Sequence, residues 1–564
     1  MKRIRVTGGV ATRCALYYAA EAYEADQPGV VGRQSAGAGF LEALVRHGAQ
    51  DELFCLTARE AEFEEFRRKV QSLSAAPPRT TWARPGDPQT LGRAGCIYNP
   101  GPIIAELAWM RRFTNERLFS ICGITHSLAT ERAIRGIRDF LTAPTQPWDA
   151  LVCTSRSGLA AVERIIGSWT EYLRQRGFGV PESPMRSYVI PLGVHVDRFV
   201  RDDAAIDSGK RLRARLGIAE DDVVGLYFGR LNVLSKAHPT PMYRAFELAQ
   251  RTMPPGRLHL VLTGQFADPR TAQQFDAARR RFCPSVRVHV VNGNDAADAA
   301  ASWLAADFFI SLTDNVQETF GLTPVEAMAA SLPCIVSDWD GYRETVVDGE
   351  TGFLIETTTP PPGAGIELAD QLARRAYDHF SYIVLISQST AVDVDQCARA
   401  IITLANDAGL RRRMGDAARR RAETAYDWRA IIRRYLELWS ELAEIRASAP
   451  VTGARRDGET VHPDYPDPFS MFRAHPTRVL GDDDEVQLAD LDGRFLVAQL
   501  RKNALHLFAT PSLLEADKVD ALVATLEAGP RTIRELGDHA DRGRLLRSIA
   551  WLQKYGIVSI AGPR

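Results

Sequence analysis

Between positions 223 and 355, short apolar runs alternate with helical patterns, and this alternation most narrows the folds that the chain can adopt. The runs occupy residues 223–230, 258–264, 286–291, 307–313, 332–338 and 352–355. Apolar strands separated by helices are typical of βα units, which build a parallel sheet covered on both faces. We therefore predict a doubly wound α/β domain over residues 206–425, with an insertion at about 356–395.

A second domain of the same fold class is predicted over residues 1–205. Its candidate strands occupy 51–58, 117–126, 149–155 and 187–193. Before them, the glycine-rich stretch GRQSAGAGF (32–40) predicts a turn that runs into an amphipathic helix. In such sheets, ligands bind beyond the carboxyl ends of the strands. Two Rossmann-like domains in series therefore predict two lobes that face each other across a cleft.

Length and composition limit the number of domains and the classes of function that the chain can have. A chain of 564 residues is too long for one core, and the linker at 449–474, rich in Pro, Gly and charge, separates a third unit at 475–564. Lys plus Arg (69) nearly equals Asp plus Glu (70), which argues against a broad nucleic-acid surface. The chain has no signal-peptide-like start, no apolar run of the ~20 residues that a membrane span needs, and no Cys-x-x-Cys pair among eight scattered cysteines. We expect a cytoplasmic protein with reduced cysteines.

Two glutamates, Glu318 and Glu326, flank the stretch TFGLTPV. Thr323 as N-cap, Pro324 at the first helical position and Glu326 two residues later predict a capping box, which alone explains Glu326. It does not explain Glu318 or Gly321. The free N–H groups of a helix start favour an anion or sugar hydroxyls, so the acids either cap a helix or bind a ligand.

Arg230 and Lys236 follow the strand run 223–230, at the predicted carboxyl edge of the sheet. An Arg fork and a mobile Lys charge together suit a diphosphate. The alternative is a pair of solvated surface cations.

The order of these motifs resembles the nucleotide-sugar domain of glycosyltransferase family 4, whose members are retaining transferases with the GT-B fold of two Rossmann-like domains. The resemblance is carried by Arg230 and Lys236 after a Gly, then LVLTG, ETFGLTPVEAMA, DGYRETV and GETGFLI. It is strong over about 220–355 and continues through 426–448, which is similar to the family's closing helix to the first lobe. In the first lobe it is carried by GRQSAGAGF, by His126 and by VIPLGVHVDRF.

The resemblance implies roles for the site residues. Arg230 and Lys236 would hold the donor diphosphate, Glu318 would face the donor sugar, and His126 would lie near its reacting face. Donor-binding roles fall to Glu326 at the ribose, to the segment Phe320, Gly321, Leu322 and Thr323, to the turn at Gly37 and Gly39, and to Gly264. The base would be read near Gly264, Gln265 and Asn292. The family's front-face mechanism implies that the departing diphosphate is the base and that the protein positions and stabilises.

The sequence departs from the family in four places. After Lys236, Ala-His-Pro replaces the common Gly. The loop between Arg230 and Lys236 is one residue longer, Ser331 stands where the family often has Gly, and GRQSAGAG replaces a simple Gly-Gly turn. These departures bear more on the acceptor side than on the donor side.

Neither a metal nor another cofactor is expected. Asp338 and Asp340 form a D-x-D pattern, as do Asp482 and Asp484, but the cations Arg230 and Lys236 already supply charge for the phosphates. The second pattern lies in an acidic stretch typical of a solvated charge run.

The basic cluster RRRMGDAARRR (411–421) is interpreted as a solvated helix face, with contact to anionic lipid as the alternative. In the tail, an amphipathic helix at 512–528 and the following segments resemble a winged-helix module. Acids there match bases in number, which favours a protein-contact or dimerising role over DNA reading.

Two hypotheses follow from these observations. The first is a metal-independent retaining glycosyltransferase that moves a hexose-type sugar from a nucleoside-diphosphate sugar to an acceptor, which is a glycan, a lipid-linked sugar or a protein. The second is a non-catalytic regulator that senses a sugar nucleotide and acts through the tail. A sensor has no need of Glu318, so the sequence favours the first.

Overall fold

The computed structural model describes residues 13–23, 32–112, 114–179, 183–233, 236–450, 460, 462–489, 492–537 and 541–561. The chain divides into two compact units, Met1–Arg456 and Asp457–Arg564, and each is described by itself. None of the described helices is both long enough and apolar enough to span a bilayer.

The first lobe of the larger unit is a parallel sheet with helices between its strands. Its strands are β1 (Ala15–Tyr17), β2 (Glu52–Leu56), β3 (Arg79–Ala83), β4 (Cys96–Asn99), β5 (Ser120–Ile124), β6 (Ala150–Cys153) and β7 (Arg186–Val189). The described strands lie in the order β3-β2-β1-β4-β5-β6-β7. The helices are α1 (Ala20–Tyr23), α2 (Gly32–His47), α3 (Glu60–Ser72), α4 (Pro88–Ala94), α5 (Ala105–Arg112), α6 (Glu131–Arg138) and α7 (Arg156–Gln175). The order reverses at β1, as in a doubly wound fold.

The second lobe repeats this architecture. Its strands are β8 (Val223–Phe228), β9 (Leu258–Gly264), β10 (Arg287–Asn292), β11 (Phe308–Ser311), β12 (Cys334–Ser337) and β13 (Gly352–Ile355), in the order β10-β9-β8-β11-β12-β13. The helices are α8 (Asp203–Arg215), α9 (Pro239–Gln250), α10 (Pro269–Phe282), α11 (Ala296–Ala305), α12 (Leu322–Ala329) and α13 (Tyr342–Thr345). The strand pairs of both sheets are parallel, so the predicted pair of Rossmann-like domains is confirmed.

The glycine-rich turn predicted at residues 32–40 is wrong, because these residues form the first part of helix α2. A Cβ at Gly37 would lie 2.0 Å from the carbonyl oxygen of Ala22, and one at Gly39 would lie 2.9 Å from the Trp428 ring. The glycines therefore let α2 approach the chain at Ala22 and the aromatic ring of Trp428 closely. Helix packing, and not a turn, is what requires them.

After the second lobe, the chain runs through α16 (Val394–Asn406), α17 (Ala408–Arg421) and α18 (Trp428–Ser448). The backbone N–H of Val194 donates to the carbonyl of Tyr426 at 2.8 Å, and the backbone N–H of Trp428 donates to the carbonyl of Val194 at 3.1 Å. Helix α18 then packs on the first lobe, where the side chain of Trp439 is fully buried and Arg434 donates to the carbonyl of Val189 at 2.6 Å. These contacts join the two lobes on the side of the closing helix.

The insertion between β13 and α16 is a helical hairpin. It contains β14 (Thr357–Thr358), α14 (Ile366–Ala373), α15 (His379–Gln388) and β15 (Ala391–Val392). Thr357 pairs with Val392 and Thr358 with Ala391, in antiparallel register. The hairpin therefore leaves the second lobe and returns to it through neighbouring strands.

The basic cluster on α17 is only partly a solvated face. Arg411 donates to the carbonyl of Leu404 at 2.6 Å, and Arg421 donates to the carbonyls of Thr345 and Glu344 at 2.8 and 2.7 Å. These arginines hold α17 against the second lobe, whereas Arg412 and Arg420 are half-buried or exposed and form no described ion pair. The interpretation as a solvated face was wrong for the residues that bond to carbonyls.

The smaller unit contains a short antiparallel sheet and a helical core. Its strands are β16 (Glu485–Leu488), β17 (Arg531–Thr532) and β18 (Val558–Ala561), in the order β17-β16-β18. Its helices are α19 (Pro468–Met471), α20 (Gly493–Lys502), α21 (Ala504–Leu507), α22 (Ala516–Glu527) and α23 (Arg542–Lys554). Val523, Ile549 and Ile557 are buried in its core. Residues 531–536, which lie in the segments that resemble a winged-helix module by sequence, form strand β17 and turns.

Candidate active site

The carboxyl ends of the two sheets face each other. Thr154 and Ser155 follow β6 of the first lobe, whereas Thr319 and Asp340 follow β11 and β12 of the second. Thr154 Oγ1 donates to the carbonyl of Thr319 at 3.4 Å, and Ser155 Oγ donates to Asp340 Oδ1 at 2.9 Å. Ligands bind at this edge in open α/β sheets, so the facing edges define the candidate site.

A cation and an acid meet on the second-lobe side of this edge. Lys236 Nζ lies 2.9 Å from Glu318 Oε2, although the two residues are far apart in sequence. Lys236 lies in the loop after β8 and Glu318 in the loop after β11, and β8 and β11 are neighbouring strands. The parallel sheet thus brings two of the sequence-predicted catalytic residues together.

The carboxyl end of β11 also holds the backbone that carries Lys236. Thr313 Oγ1 donates to the carbonyl of Lys236 at 3.3 Å, and the backbone N–H of His238 donates to Asp314 Oδ2 at 3.4 Å. Behind them, Ser337 Oγ donates to the carbonyl of Thr313 at 2.7 Å. The position of Lys236 is therefore set by contacts from β11 and β12 as well as by its own loop.

Arg230 lies in the same loop. Gly229 before it has φ +146°, and the hydroxyl of Tyr227 donates to the carbonyl of Arg230 at 3.1 Å. The Arg230 side chain is half-buried and forms no ion pair with a described residue. A half-buried guanidinium without a carboxylate partner is suited to an anionic ligand.

The capping box predicted at Thr323 is wrong. Helix α12 begins at Leu322, its N-cap is Gly321, and no side chain caps it. Gly321 has φ +82°, and a Cβ there would lie 1.9 Å from the ring of Tyr342. Tight packing against Tyr342 therefore sets the helix start at a glycine. Pro324 falls in the first turn, where its missing N–H breaks no helical hydrogen bond.

Because Glu326 caps nothing, its carboxyl is available to a ligand. It is half-buried, it has no hydrogen-bond partner among the described residues, and burial raises its pKa to about 7 against the opposing effect of Lys236. Asp314 behaves in the same way: it is buried, burial raises its pKa to about 7, and its Oδ1 has no described partner. Buried polar atoms normally find partners, so both acids indicate a site built for something polar.

The segment from Phe320 to Thr323 offers backbone groups to the site. The Phe320 ring is buried, with its centroid 6.1 Å from that of Tyr426, so its side chain belongs to the core. Leu322 also packs against the core. The N–H groups at the start of α12 have no carbonyl acceptor within the helix, and such groups favour an anion or a hydroxyl oxygen.

Gly264 ends strand β9 beside the loop of Arg230. A Cβ at Gly264 would lie 1.9 Å from the carbonyl oxygen of Gly229, and one at Gly293 would lie 2.8 Å from the Cα of Gly264. The three glycines let the loops after β8, β9 and β10 pack directly on each other. Asn292 ends β10 at the same edge.

His126 follows β5 in the first lobe and is half-buried. Burial and, to a smaller extent, the charge of Arg33 lower its pKa to about 4, against the opposing effect of the Pro100 carbonyl. The imidazole is therefore neutral at neutral pH. No described hydrogen bond or ion pair joins His126 to the second lobe. Gly37 and Gly39, the other predicted site residues of this lobe, pack against Ala22 and Trp428.

The sequence analysis assigned no role in the site to Asp314, to Ser155 or to the contact between Asp340 and Ser155. A signal for Asp314 was present, because it directly follows the apolar run 307–313. Asp340 was considered only as half of a metal-binding pattern. In the structure Asp338 instead binds Arg343 at 3.0 Å, and no group of three His, Cys, Asp or Glu suited to a metal ion occurs among the described residues.

The second acidic pattern is likewise paired with cations. Asp484 Oδ1 accepts from Arg478 at 2.7 Å, Asp483 accepts from Arg534 at 2.7 Å, and Asp482 accepts from Arg542. Asp482 and Asp483 are exposed, as the interpretation as a solvated charge run predicts, whereas Asp484 is buried and departs from it.

Comparison with known proteins finds sequence similarity over the second lobe. The family model "Glycosyl transferases group 1" matches residues 209–362. A "D-inositol 3-phosphate glycosyltransferase" of Geodermatophilus obscurus is 30% identical over 227 residues, which cover 38% of this chain and 47% of that protein. The "Putative glycosyltransferase EpsD" of Bacillus subtilis is 30% identical over 186 residues, which cover 33% of this chain and 45% of that protein.

The chain thus spans about half the length of the curated relatives that it matches. Among solved structures, Anabaena Alr3699/HepE in complex with UDP and glucose aligns with a TM-score of 0.49 and 16% identity. That alignment covers 76% of this chain and 100% of the Anabaena chain.

Proposed function

We propose that this chain, whose residues 209–362 match the family model "Glycosyl transferases group 1", transfers a hexose-type sugar from a nucleoside-diphosphate sugar to an acceptor. We further propose retention of configuration and no requirement for a metal or another cofactor. One observation carries the proposal. The Lys236–Glu318 pair, the partnerless Glu326 and the start of α12 share the edge of the second lobe that faces the first.

Charge matching supports the donor side of this proposal. As the glycosidic bond breaks, negative charge grows on the leaving nucleoside diphosphate, and preorganised cations that stabilise this charge lower the barrier. Arg230 has no described ion-pair partner, and Lys236 extends toward the same edge. In the proposed complex both bind the diphosphate, and Glu318 accepts hydrogen bonds from the donor sugar.

Glu326 is proposed to accept hydrogen bonds from the ribose hydroxyls. An ionised carboxylate has two oxygens that accept hydrogen bonds, and no described residue uses them in the structure. The N–H groups from Phe320 to Thr323 are proposed to donate to the sugar or to a phosphate. Gly264 and Asn292 lie at the ends of adjacent strands, where the base is proposed to bind.

His126 is proposed to act on the first-lobe side of the sugar. Its low pKa keeps the ring neutral, so it can donate or accept one hydrogen bond without adding positive charge. Retention is proposed to follow from attack on the face that the diphosphate leaves, with a diphosphate oxygen taking the acceptor proton. The protein then contributes position and charge.

The acceptor is proposed to be a glycan, a lipid-linked sugar or a protein. Because relatives from Geodermatophilus obscurus and Streptomyces avermitilis carry the name "D-inositol 3-phosphate glycosyltransferase", D-inositol 3-phosphate is the first free acceptor to test. A reducing, cytoplasmic setting is part of the proposal, and the free and buried state of all eight cysteines is consistent with it.

The decisive experiment is a donor screen by thermal shift with the UDP, GDP and ADP forms of glucose, mannose and N-acetylglucosamine. We expect one nucleotide sugar to raise Tm in the parent chain and to lose this effect in Arg230→Ala and Glu326→Ala. Lys210→Ala, which lies on α8 and is exposed, is the matched control and should respond like the parent. An equal response in all variants would show that the site is misplaced.

Turnover separates the transferase from the regulator. With the stabilising donor and an added acceptor, we expect release of nucleoside diphosphate and formation of a glycosylated product with an unchanged anomeric configuration, in the presence of EDTA. Donor binding without turnover on any acceptor, or a shape change in the smaller unit on donor binding, would favour the sugar-nucleotide sensor.

The smaller unit, which we propose to be a winged-helix-like module, is proposed to contact a protein, either the acceptor or a second copy. A series of large apolar side chains is exposed on its described residues: Tyr465, Phe469, Met471, Phe472, Phe495, Leu505 and Phe508. Replacing Phe495 and Phe508 together by Ser should weaken dimerisation or acceptor use and leave the donor-induced shift in Tm unchanged. Unchanged sedimentation and unchanged acceptor kinetics would contradict this role.

A further inference from the structure

Asp340 has an unusual backbone for its residue type. It follows β12, and its φ of +42° lies in the left-handed region that favours glycine. Such a conformation is uncommon outside glycine, although Asp tolerates it better than most residues, and it persists where the surrounding structure enforces it. The side chain is half-buried at the facing edges of the two lobes.

The backbone on either side of Asp340 is packed against the donor segment without free space. A Cβ at Gly341 would lie 2.4 Å from the Cα of Phe320, and the Tyr342 ring lies against the Cα of Gly321. The hydroxyl of Tyr342 is also 3.1 Å from Ser311 Oγ, at the end of β11. A movement of the segment 318–322 must therefore move the segment 340–342 with it.

The side chains of this segment reach the other lobe. Ser155 Oγ accepts from the N–H of Gly158 at 2.9 Å as the N-cap of α7, and its hydroxyl proton goes to Asp340 Oδ1 at 2.9 Å. Glu344 Oε1 accepts from the backbone N–H of Arg156 at 2.5 Å. Two carboxyl groups of the second lobe thus meet the start of a 20-residue helix of the first. Helix starts attract negative charge, so both contacts favour closure.

The charges around Asp340 come from both lobes. From the second lobe, Glu318 and Glu344 raise its pKa, whereas the N–H of Gly341 lowers it. From α7, the Ser155 hydroxyl lowers it. Burial outweighs these effects and sets the value at about 7. A carboxyl that is kept near like charges, in a strained backbone and against the opposite lobe, is arranged for a purpose other than local stability.

We propose that Asp340, with Glu344, forms a latch that closes the two lobes by binding the start of α7, and that Gly341 and Tyr342 link this latch to the donor segment 318–322. When the latch is made, Glu318 and its neighbours are held against the first lobe. When the donor segment shifts, the latch opens. This proposal concerns closure alone and does not depend on the identity of any substrate.

The test uses the full chain without ligand. Asp340→Gly removes the bond to Ser155 and lets the backbone keep its φ without a Cβ, and Glu344→Ala removes the second contact. In the double variant we expect the amides at the start of α7, residues 156–158, to exchange hydrogen on the order of tenfold faster. We also expect a larger radius of gyration by small-angle X-ray scattering, with Tm within about 2 °C of the parent.

Two further variants make the test specific. Asp340→Asn keeps an oxygen that accepts from Ser155, so exchange should stay like that of the parent. Asp338→Asn changes the other acid of the same pattern, which binds Arg343 within its own lobe, and should also leave exchange unchanged. The latch is overturned if the double variant keeps parental exchange and radius, or if it loses several degrees of Tm while the lobes stay closed.

Discussion

Two groups of buried charge in the larger unit differ in how completely their atoms are paired. In the first lobe, Arg111 and Asp149 are fully buried and form two bonds at 2.6 and 2.7 Å. In the second lobe, Glu326 and Asp314 lie near Lys236 and still have oxygens without a described partner. Protein groups satisfy almost all polar atoms of the first pair, whereas oxygens of the second group have no described protein partner.

The completeness of the first pair is visible atom by atom. Asp149 also accepts from the backbone N–H groups of Ile121 and Gln146, at 2.9 and 2.8 Å, and Arg111 donates to the carbonyl of Phe119 at 2.8 Å. Of these side-chain atoms, only Nε of Arg111 has no described partner. The comparison teaches that burial of charge alone does not mark a site, whereas buried acids with free oxygens at a strand edge do.

The largest expected effect is on the complete pair. Asp149→Ala leaves the Arg111 guanidinium buried without its counter-charge, so the free energy of unfolding should fall by about 3–5 kcal/mol. Chemical denaturation measures this. Glu131→Ala removes an exposed ion pair with Arg135 and is the control, with an expected loss below about 0.5 kcal/mol. Similar losses for both variants would erase the distinction between the two groups.

The next effect is on catalysis. Lys236→Ala removes a cation that is proposed to stabilise the departing diphosphate, so kcat/KM should fall by about 10²- to 10³-fold. Stability should change little, since the partner Glu318 lies at the cleft and water can replace the lysine there. Steady-state kinetics with the donor found by thermal shift measures this effect, with Lys210→Ala as control. If the variant loses stability and keeps activity, Lys236 stabilises the fold, as Arg111 and Asp149 do, and does not act on the diphosphate.

A smaller effect concerns the dependence of stability on pH. The pKa of Glu326 in the folded chain is about 7, above its ordinary 4.5, so the fold binds an extra proton between these values. Its contribution to stability is complete below about pH 4.5 and is lost as the pH rises through about 7. Glu326→Gln should therefore be more stable than the parent at pH 8 and equal to it at pH 4.5, as measured by Tm.

The control for this experiment is Glu220→Gln, which changes an exposed acid in a surface turn. It should follow the parent at every pH. If the Tm of Glu326→Gln also matches that of the parent at every pH, the Glu326 carboxyl already has its hydrogen-bond partners in the free protein. It would then not differ from Asp149 in how completely its oxygens are paired.

The smallest effect comes from a second complete network. Nδ1 of His259 lies 3.0 Å from Nε2 of His289, and its Nε2 lies 3.1 Å from Asp222. Burial and the neighbouring His259 lower the pKa of His289 from 6.5 to about 4. Its contribution is complete above about pH 6.5 and is lost as the pH falls toward 4. His289→Gln should reduce this acid sensitivity by on the order of 1 kcal/mol, whereas His475→Gln should not.

The second lobe was well predicted from sequence because its strands lie in apolar runs that are separated by helical patterns. Residues 258–264 and 352–355 form β9 and β13 with the predicted bounds. In the first lobe, β1, β3 and β4 were missed. β1 has only three residues, too few for a periodic pattern, and β3 is an edge strand with the mixed sequence RTTWA.

The site was predictable where residues follow strands and not where they depend on packing. Lys236 and Glu318 could be placed together because each follows a strand of one parallel sheet. The start of α12 could not be placed, because the contact of Gly321 with Tyr342 decides it and no local signal reports that contact. Ser331, noted as a departure from glycine, has φ +62° and keeps the left-handed backbone without being glycine.

Because β14 and β15 pair at the base of the insertion, the two points where the hairpin joins the second lobe are neighbours in space. The residues between them, 359–390, can lengthen, shorten or be exchanged without altering the span that the rest of the lobe must bridge. Natural variation or engineering at this place can therefore change what the chain contacts outside the cleft while the proposed donor site stays the same.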